Sequence, residues 1–137
     1  MRAVYGRDQL VADYISQGTN HQFHPPYVGI GFTRDGHSLC FGALYNAYNG
    51  SNIEITLYGP KAATRFVLAE IFRYPFRQLK VNRLTAKTAR SNKKMQRIMP
   101  RMGFVFEGTQ KRYFGPSRAD DALLFAMFPE QAEKWMK

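Results

Sequence analysis

The sequence predicts an α/β (α+β) domain in which a mixed sheet joins an antiparallel meander to a parallel crossover pair, with helices flanking it. Three observations predict it. Alternating segments separated by turn dipeptides fill residues 27–58, a largely apolar helical segment follows, and a further strand comes directly after that helix. A strand–helix–strand succession closes in the right-handed sense and leaves its two strands parallel. At 137 residues, 45% apolar and 15% aromatic, the chain has the bulk and composition of one packed globule. No repeat, low-complexity tract or internal linker divides it, so residues 1–137 read as a single domain.

Taken in order, Asp8 to Gln17 predicts a short helix with Leu10, Val11, Tyr14 and Ile15 as its apolar stripe and Gly18 as its stop. His24-Pro25-Pro26 reads as extended linker. Tyr27 to Thr33 is the first meander strand, Asp35-Gly36 a turn, Ser38 to Tyr48 the second strand, and Asn49-Gly50 a hairpin signal. Ser51 to Tyr58 is the third strand. Its alternation puts Ile53, Ile55 and Leu57 on one face and Asn52, Glu54, Thr56 and Tyr58 on the other. Gly59-Pro60 opens a helix, with Pro at the first helical position, and Pro75 ends it. Because Phe66 to Phe72 is apolar on most sides, that helix is expected against the sheet. Val81 to Lys87 is the parallel strand. A helix from Ser91-Asn92 to Gly103 buries Met95, Ile98, Met99 and Met102, with Pro100 disturbing its last turn. Phe104 to Tyr113 and Ala122 to Phe128 close the sheet before a short C-terminal helix.

Composition excludes some classes and leaves others open. No apolar run reaches the roughly 20 residues of a membrane span, the N-terminal residues lack a signal-peptide pattern, and Cys40 is alone, which excludes an internal disulfide and a cysteine-based zinc site. These features point to the cytoplasm. The formal net charge is +10, and the basic residues crowd between Lys61 and Arg118. Such a surface attracts nucleic acid, headgroups, acidic proteins or a phosphate-rich small molecule, so charge alone names no partner. His21 and His24 lack a third ligand and read as loop residues rather than a metal site.

The element order, together with Asn92-Lys93-Lys94-Met95 leading through Gly103-Phe104 to Glu107-Gly108, resembles the GCN5-related N-acetyltransferase family, and the segment after Tyr58, with Thr64-Arg65 and then Tyr74-Pro75-Phe76, resembles a variant branch found in bacterial and phage genomes. Arg83-Leu84-Thr85-Ala86 is similar to the family's strand before that helix, and Asp120-Asp121-Ala122-Leu123 to its closing strand. The resemblance covers residues 27–128. It implies an acetyl-CoA-dependent N-acetyltransferase that passes acetyl to a primary amine (a protein N-terminus, a lysine or a small amine) by direct attack in a ternary complex, without a metal. Two departures stand out. The pyrophosphate loop is replaced by Tyr58-Gly59-Pro60-Lys61-Ala62-Ala63, where only Ala63 fits, and Met99 stands where many members carry a thiolate-protonating tyrosine.

The resemblance places cofactor contacts at Leu57, Tyr58, Lys61, Ala62, Ala63, Thr64, Arg65 and Asn92, and backbone donors around Leu57 for the thioester oxygen. A helix N-terminus is an anion site on physical grounds, with ordinary surface charge as the competing reading of Lys61 and Arg65. Asn92 reads as an N-cap as well as a pantetheine contact. Glu54 is the candidate general base, since a carboxylate on a covered sheet needs a reason; a salt bridge is the competing one. Asn52 and Tyr45 are its candidate neighbours, Ser91 or Tyr113 the candidate replacements for the missing tyrosine, and Phe23, Tyr27, Tyr45 and Tyr48 the candidate acceptor-pocket lining. Three functions compete: acetyl transfer, nucleic-acid or ribosome binding through the basic face, and CoA binding without turnover. The short segment before Tyr27 leaves an open acceptor side, which suits a protein substrate or closure by a second copy.

Overall fold

The computed structural model describes residues 1–19, 21–59 and 64–137. Its sheet has seven strands: β1 (Arg2–Val4), β2 (Tyr27–Thr33), β3 (Leu39–Asn46), β4 (Asn52–Tyr58), β5 (Arg83–Ala89), β6 (Val105–Gln110) and β7 (Ala122–Met127). They lie in the order β1-β2-β3-β4-β5-β7-β6. All neighbours are antiparallel except β4 and β5, which run parallel, so the predicted mixed sheet is present. β1 was not foreseen: three residues are too few to show a period. The last strand also inserts between β5 and β6, so β7 rather than β6 pairs with β5.

Two layers of helix cover the sheet. On one face lie α2 (Arg65–Arg73), α3 (Lys93–Met102) and α4 (Pro129–Met136). They close the main core around Ile53, Ile55, Val67, Ile71, Phe72, Leu84, Met99, Phe104, Phe125 and Met127, each at most 4% exposed. α1 (Asp8–Thr19) packs on the other face, setting Val11, Ala12 and Ile15 against Leu44. It approaches closely because Gly29 of β2 leaves room; a Cβ there would stand 2.6 Å from that of Val11.

Helix limits move where capping chemistry outweighs sequence punctuation. Gly18 does not stop α1, which runs on to Thr19; a Cβ at Gly18 would land on the Tyr58 ring, so glycine there serves close approach of helix and strand. α2 starts at Arg65 rather than Pro60, because Thr64 takes extended geometry and its Oγ1 accepts from the Val67 amide at 3.4 Å. Nor does Pro75 end the helical path. A single π turn over Tyr74–Gln78 absorbs it, with Pro75 at the N-terminal position where its missing N–H is harmless. Its wider carbonyl spacing is met by Leu79 N–H on Tyr74 O and Val81 N–H on Pro75 O, each at 3.0 Å. Val81 is thereby core beneath that turn, and β5 begins two residues later than predicted. β3 likewise ends at Asn46: Ala47 takes a positive φ of 55°, and Asn49 Oδ1 accepts from the Ser51 and Asn52 amides, moving the turn one residue on.

Candidate active site

The register of the parallel pair defines the site. β4 and β5 are paired only from Asn52–Arg83 to Ile55–Ala86. Beyond that, Thr56, Leu57 and Tyr58 pair with β3 alone, while Lys87, Thr88 and Ala89 pair with β7 alone. The two strands therefore part company, and alternate backbone groups along each free edge point into the opening between them. Leu57 packs its side chain on the main core. The Tyr58 ring lies under α1, 5.5 Å from the Tyr14 ring. Both residues thus line the opening by backbone rather than by side chain.

Glu54 lies one residue before the last parallel pair, on the α1 face of the sheet. Asn52, Arg83, Thr85 and Lys87 share that face, and together they form a polar strip beside the apolar ground that α1 covers. Thr85 donates to Asn52 Oδ1 at 2.5 Å, the Arg83 Nε donates to Thr85 at 3.3 Å, and Arg83 pairs with Glu107 of β6. Lys87 Nζ stands 3.3 Å from Glu54 Oε1, 3.4 Å from the Tyr113 hydroxyl and 4.6 Å from that ring's centre. Their side chains are 28% (Glu54) and 20% (Lys87) exposed, so solvent screens the pair only in part. Burial pulls the Lys87 pKa down, but the Glu54 charge and the Tyr113 hydroxyl outweigh it and set it above the ordinary lysine value. The salt-bridge role considered for Glu54 is therefore present, its partner being a lysine that sequence reasoning had counted only as surface charge. The signal that finds Lys87 is parity: Arg83, Thr85 and Lys87 alternate on β5 as Asn52 and Glu54 do on β4.

Tyr113 belongs to the connection between β6 and β7, which a buried carboxylate holds in place. Asp121 accepts from the Arg112 amide at 2.9 Å and from Arg90 Nη2 at 3.3 Å. These donors, the backbone N–H first, keep its carboxyl below the ordinary aspartate value. Nearby, His21 from the segment after α1 stands 4.9 Å from the Phe23 ring and 5.6 Å from Phe114. Burial pulls the His21 pKa down from the ordinary histidine value. His21, Phe23, Phe114 and Tyr113 thus form one aromatic cluster that reaches Lys87. Two expected lining residues are elsewhere. Tyr45, opposite Ile55, points into the core and donates to Ile71 O at 2.5 Å, and it is no neighbour of Glu54. Tyr48 is exposed on the turn before β4.

Of the predicted phosphate contacts, Lys61, Ala62 and Ala63 lie outside the described residues. Thr64 is the N-cap of α2, and the amides of Arg65 and Phe66 in that first turn have no intrahelical acceptor. The Arg65 guanidinium turns away to α4, donating to Lys134 O at 2.8 Å over the Trp135 ring. Met99 is core. Asn92 caps α3, its Oδ1 accepting from Met95 N–H at 3.2 Å. Replacing Asn92 by Ala is expected to lower stability by about 1 kcal/mol, read as a shift in the urea midpoint. A loss of CoA affinity beyond that would expose a second, ligand-binding role for the amide. Among the described residues no group of three or more His, Cys, Asp or Glu side chains converges, and no helix is long and apolar enough to cross a membrane.

No protein-family model matches the sequence, and no curated protein is similar to it. Solved structures are similar in fold. A mutant form of the spermidine N-acetyltransferase SpeG from Vibrio cholerae matches with a TM-score of 0.74 at 12% identity, over 100% of this chain and 98% of that one. A GCN5-related N-acetyltransferase from Brucella melitensis matches with a TM-score of 0.63 at 19% identity, over 80% of this chain and 54% of that one. This chain therefore has the fold of the GCN5-related N-acetyltransferases, as its motifs implied.

Proposed function

We propose that the protein is an acetyl-CoA-dependent N-acetyltransferase that passes acetyl to a primary amine by direct attack in a ternary complex. The observation that carries this reading is the end of the β4–β5 ladder at Ile55–Ala86, with Glu54 one residue before it on the polar face. The free strand edges suit the amide-bearing arm of CoA. The first turn of α2 offers amides to its phosphates, and a chain of net charge +10 favours so anionic a ligand. The fold's known enzymes add an acetyltransferase precedent.

In this reading Glu54 takes a proton from the acceptor amine, directly or through a water. Backbone N–H groups on the free edge of β4 meet the charge that develops on the thioester oxygen. The departing thiol has a reference pKa near 8.5, so it leaves as the anion without a strong acid, and a buried Met99 is tolerable. An α-amino acceptor near pKa 8 asks less of the base than a lysine near 10.4, which favours N-terminal or small amines.

A second reading has an observation of its own. The Ser91 N–H donates to Ala119 O at 3.3 Å, joining the basic first turn of α3 to the connection bearing Lys111, Arg112 and Arg118 in one cationic surface for nucleic acid. Calorimetric titration with acetyl-CoA, duplex DNA and RNA at two salt concentrations separates the two. Saturable one-to-one acetyl-CoA binding, followed by amine-dependent release of CoA thiol, supports the enzyme. Binding without thiol release supports a silent CoA-binding protein. Failure to bind acetyl-CoA, with tight salt-sensitive nucleic-acid binding, overturns the enzyme reading.

A further inference from the structure

The Glu54–Lys87 pair has a chemical consequence that rests on the acetyltransferase reading. A primary amine already stands against the candidate base: Lys87 Nζ is 3.3 Å from Glu54 Oε1. Lys87 is also the first residue of β5 beyond the last parallel pair, where the strands separate. Its side chain is 20% exposed, held in place by the Tyr113 ring yet open to solvent. We propose that Lys87 is an acetyl acceptor, so that the chain acetylates its own Lys87 in the presence of acetyl-CoA.

The step balances without any further reagent. Glu54 takes one proton from the Lys87 ammonium, and the free amine attacks the thioester carbonyl. The new C–N bond forms as the C–S bond breaks, and the second amine proton passes to the departing thiolate to give CoA thiol. Glu54 then returns its proton to solvent. The product amide is neutral, so Lys87 loses both its pairing with Glu54 and its cation–π contact with Tyr113. Acetylation therefore releases Glu54 to serve an incoming amine, and a single modification converts a clasped site into an open one.

The pH dependence follows from the pairing. The charged and titratable groups facing the Lys87 ammonium are Glu54 from β4 and Tyr113 from the β6–β7 connection, while Arg83 on the same face is engaged by Glu107. Lys87 stays mainly protonated at neutral pH, since its pKa is raised. Because the proton passes from Lys87 to Glu54 within the pair, the reactive form carries as many protons as the resting ion pair, and the modification rate is expected to stay within about a factor of two between pH 7 and 9.

The test incubates the whole chain with acetyl-CoA and follows acetyl incorporation by intact mass and peptide mapping, with acetyl-CoA binding measured separately by calorimetry. The expected result is one acetyl group per chain, mapped to Lys87, gained faster than at the exposed Lys93, Lys111 and Lys134. Glu54→Gln is expected to slow it by about 100-fold or more, and Lys87→Arg to remove it. Saturable acetyl-CoA binding with Lys87 unmodified, or modified no faster than those exposed lysines in the unaltered protein, overturns the proposal and leaves the enzyme reading standing. Absence of acetyl-CoA binding overturns both.

Discussion

If Glu54 is the general base proposed above, replacing it by Gln is expected to lower the rate of acetyl transfer by about 100- to 10,000-fold, the range that a positioned general base supplies, and to leave acetyl-CoA affinity within about twofold. The split follows from position. Glu54 lies within the paired part of β4 on its polar face, whereas the groups proposed to meet CoA are backbone edges beyond Ile55 and the first turn of α2. The amide keeps the size of the carboxylate and can still accept from Lys87, so the strip around Asn52 and Thr85 keeps its shape. Steady-state rates with a saturating amine, beside calorimetry on the same preparation, check both halves. An unchanged rate would return Glu54 to a purely structural ion pair. A parallel loss of affinity and rate would mean that its effect runs through CoA binding.

The largest stability effect is expected at Phe72. Its ring is fully buried, 6.2 Å from Phe104, so it joins α2 to the chain that follows the left-handed cap of α3 at Gly103. Truncation to Ala removes its apolar burial and leaves a cavity between elements that cannot collapse independently, which costs about 3–5 kcal/mol. That is a large fraction of the roughly 5–15 kcal/mol that holds a domain folded. With a urea slope of about 2 kcal/mol per molar, the midpoint falls by roughly 2 M. A shift below about 0.5 M would show that this region repacks freely and that α2 is not anchored as described.

What the sequence made visible, and what it did not, divides along the range of the interactions involved. The alternation from Asn52 to Tyr58 is local, and it assigned Glu54 and Ile55 to opposite faces before any pairing was known. Asn92 as an N-cap is equally local. The start of α2 was misplaced because Gly59-Pro60 and Thr64 both have capping chemistry; the hydrogen bond from the Val67 amide to Thr64 decides between them, and it exists only once the turn forms. Non-local pairings stayed hidden. Nothing in the segment around Lys87 says that its ammonium meets Glu54, since that contact depends on the parallel register and on Tyr113 arriving from another connection. Arg65 is a similar case, because its turn toward Lys134 and Trp135 depends on where α4 docks. Tyr45 was assignable in principle: pairing it with Ile55 across the meander puts it in the core.

Hydrogen exchange with and without CoA tests the central claim most directly, because it reports where the ligand lies as well as whether it binds. Slowed exchange is expected at those amides between Thr56 and Tyr58 that face the opening and at Arg65 and Phe66, saturating with CoA concentration, with little change on β1 and β2. Saturable binding that protects a different surface, or no protection along the free edge of β4, would contradict that claim.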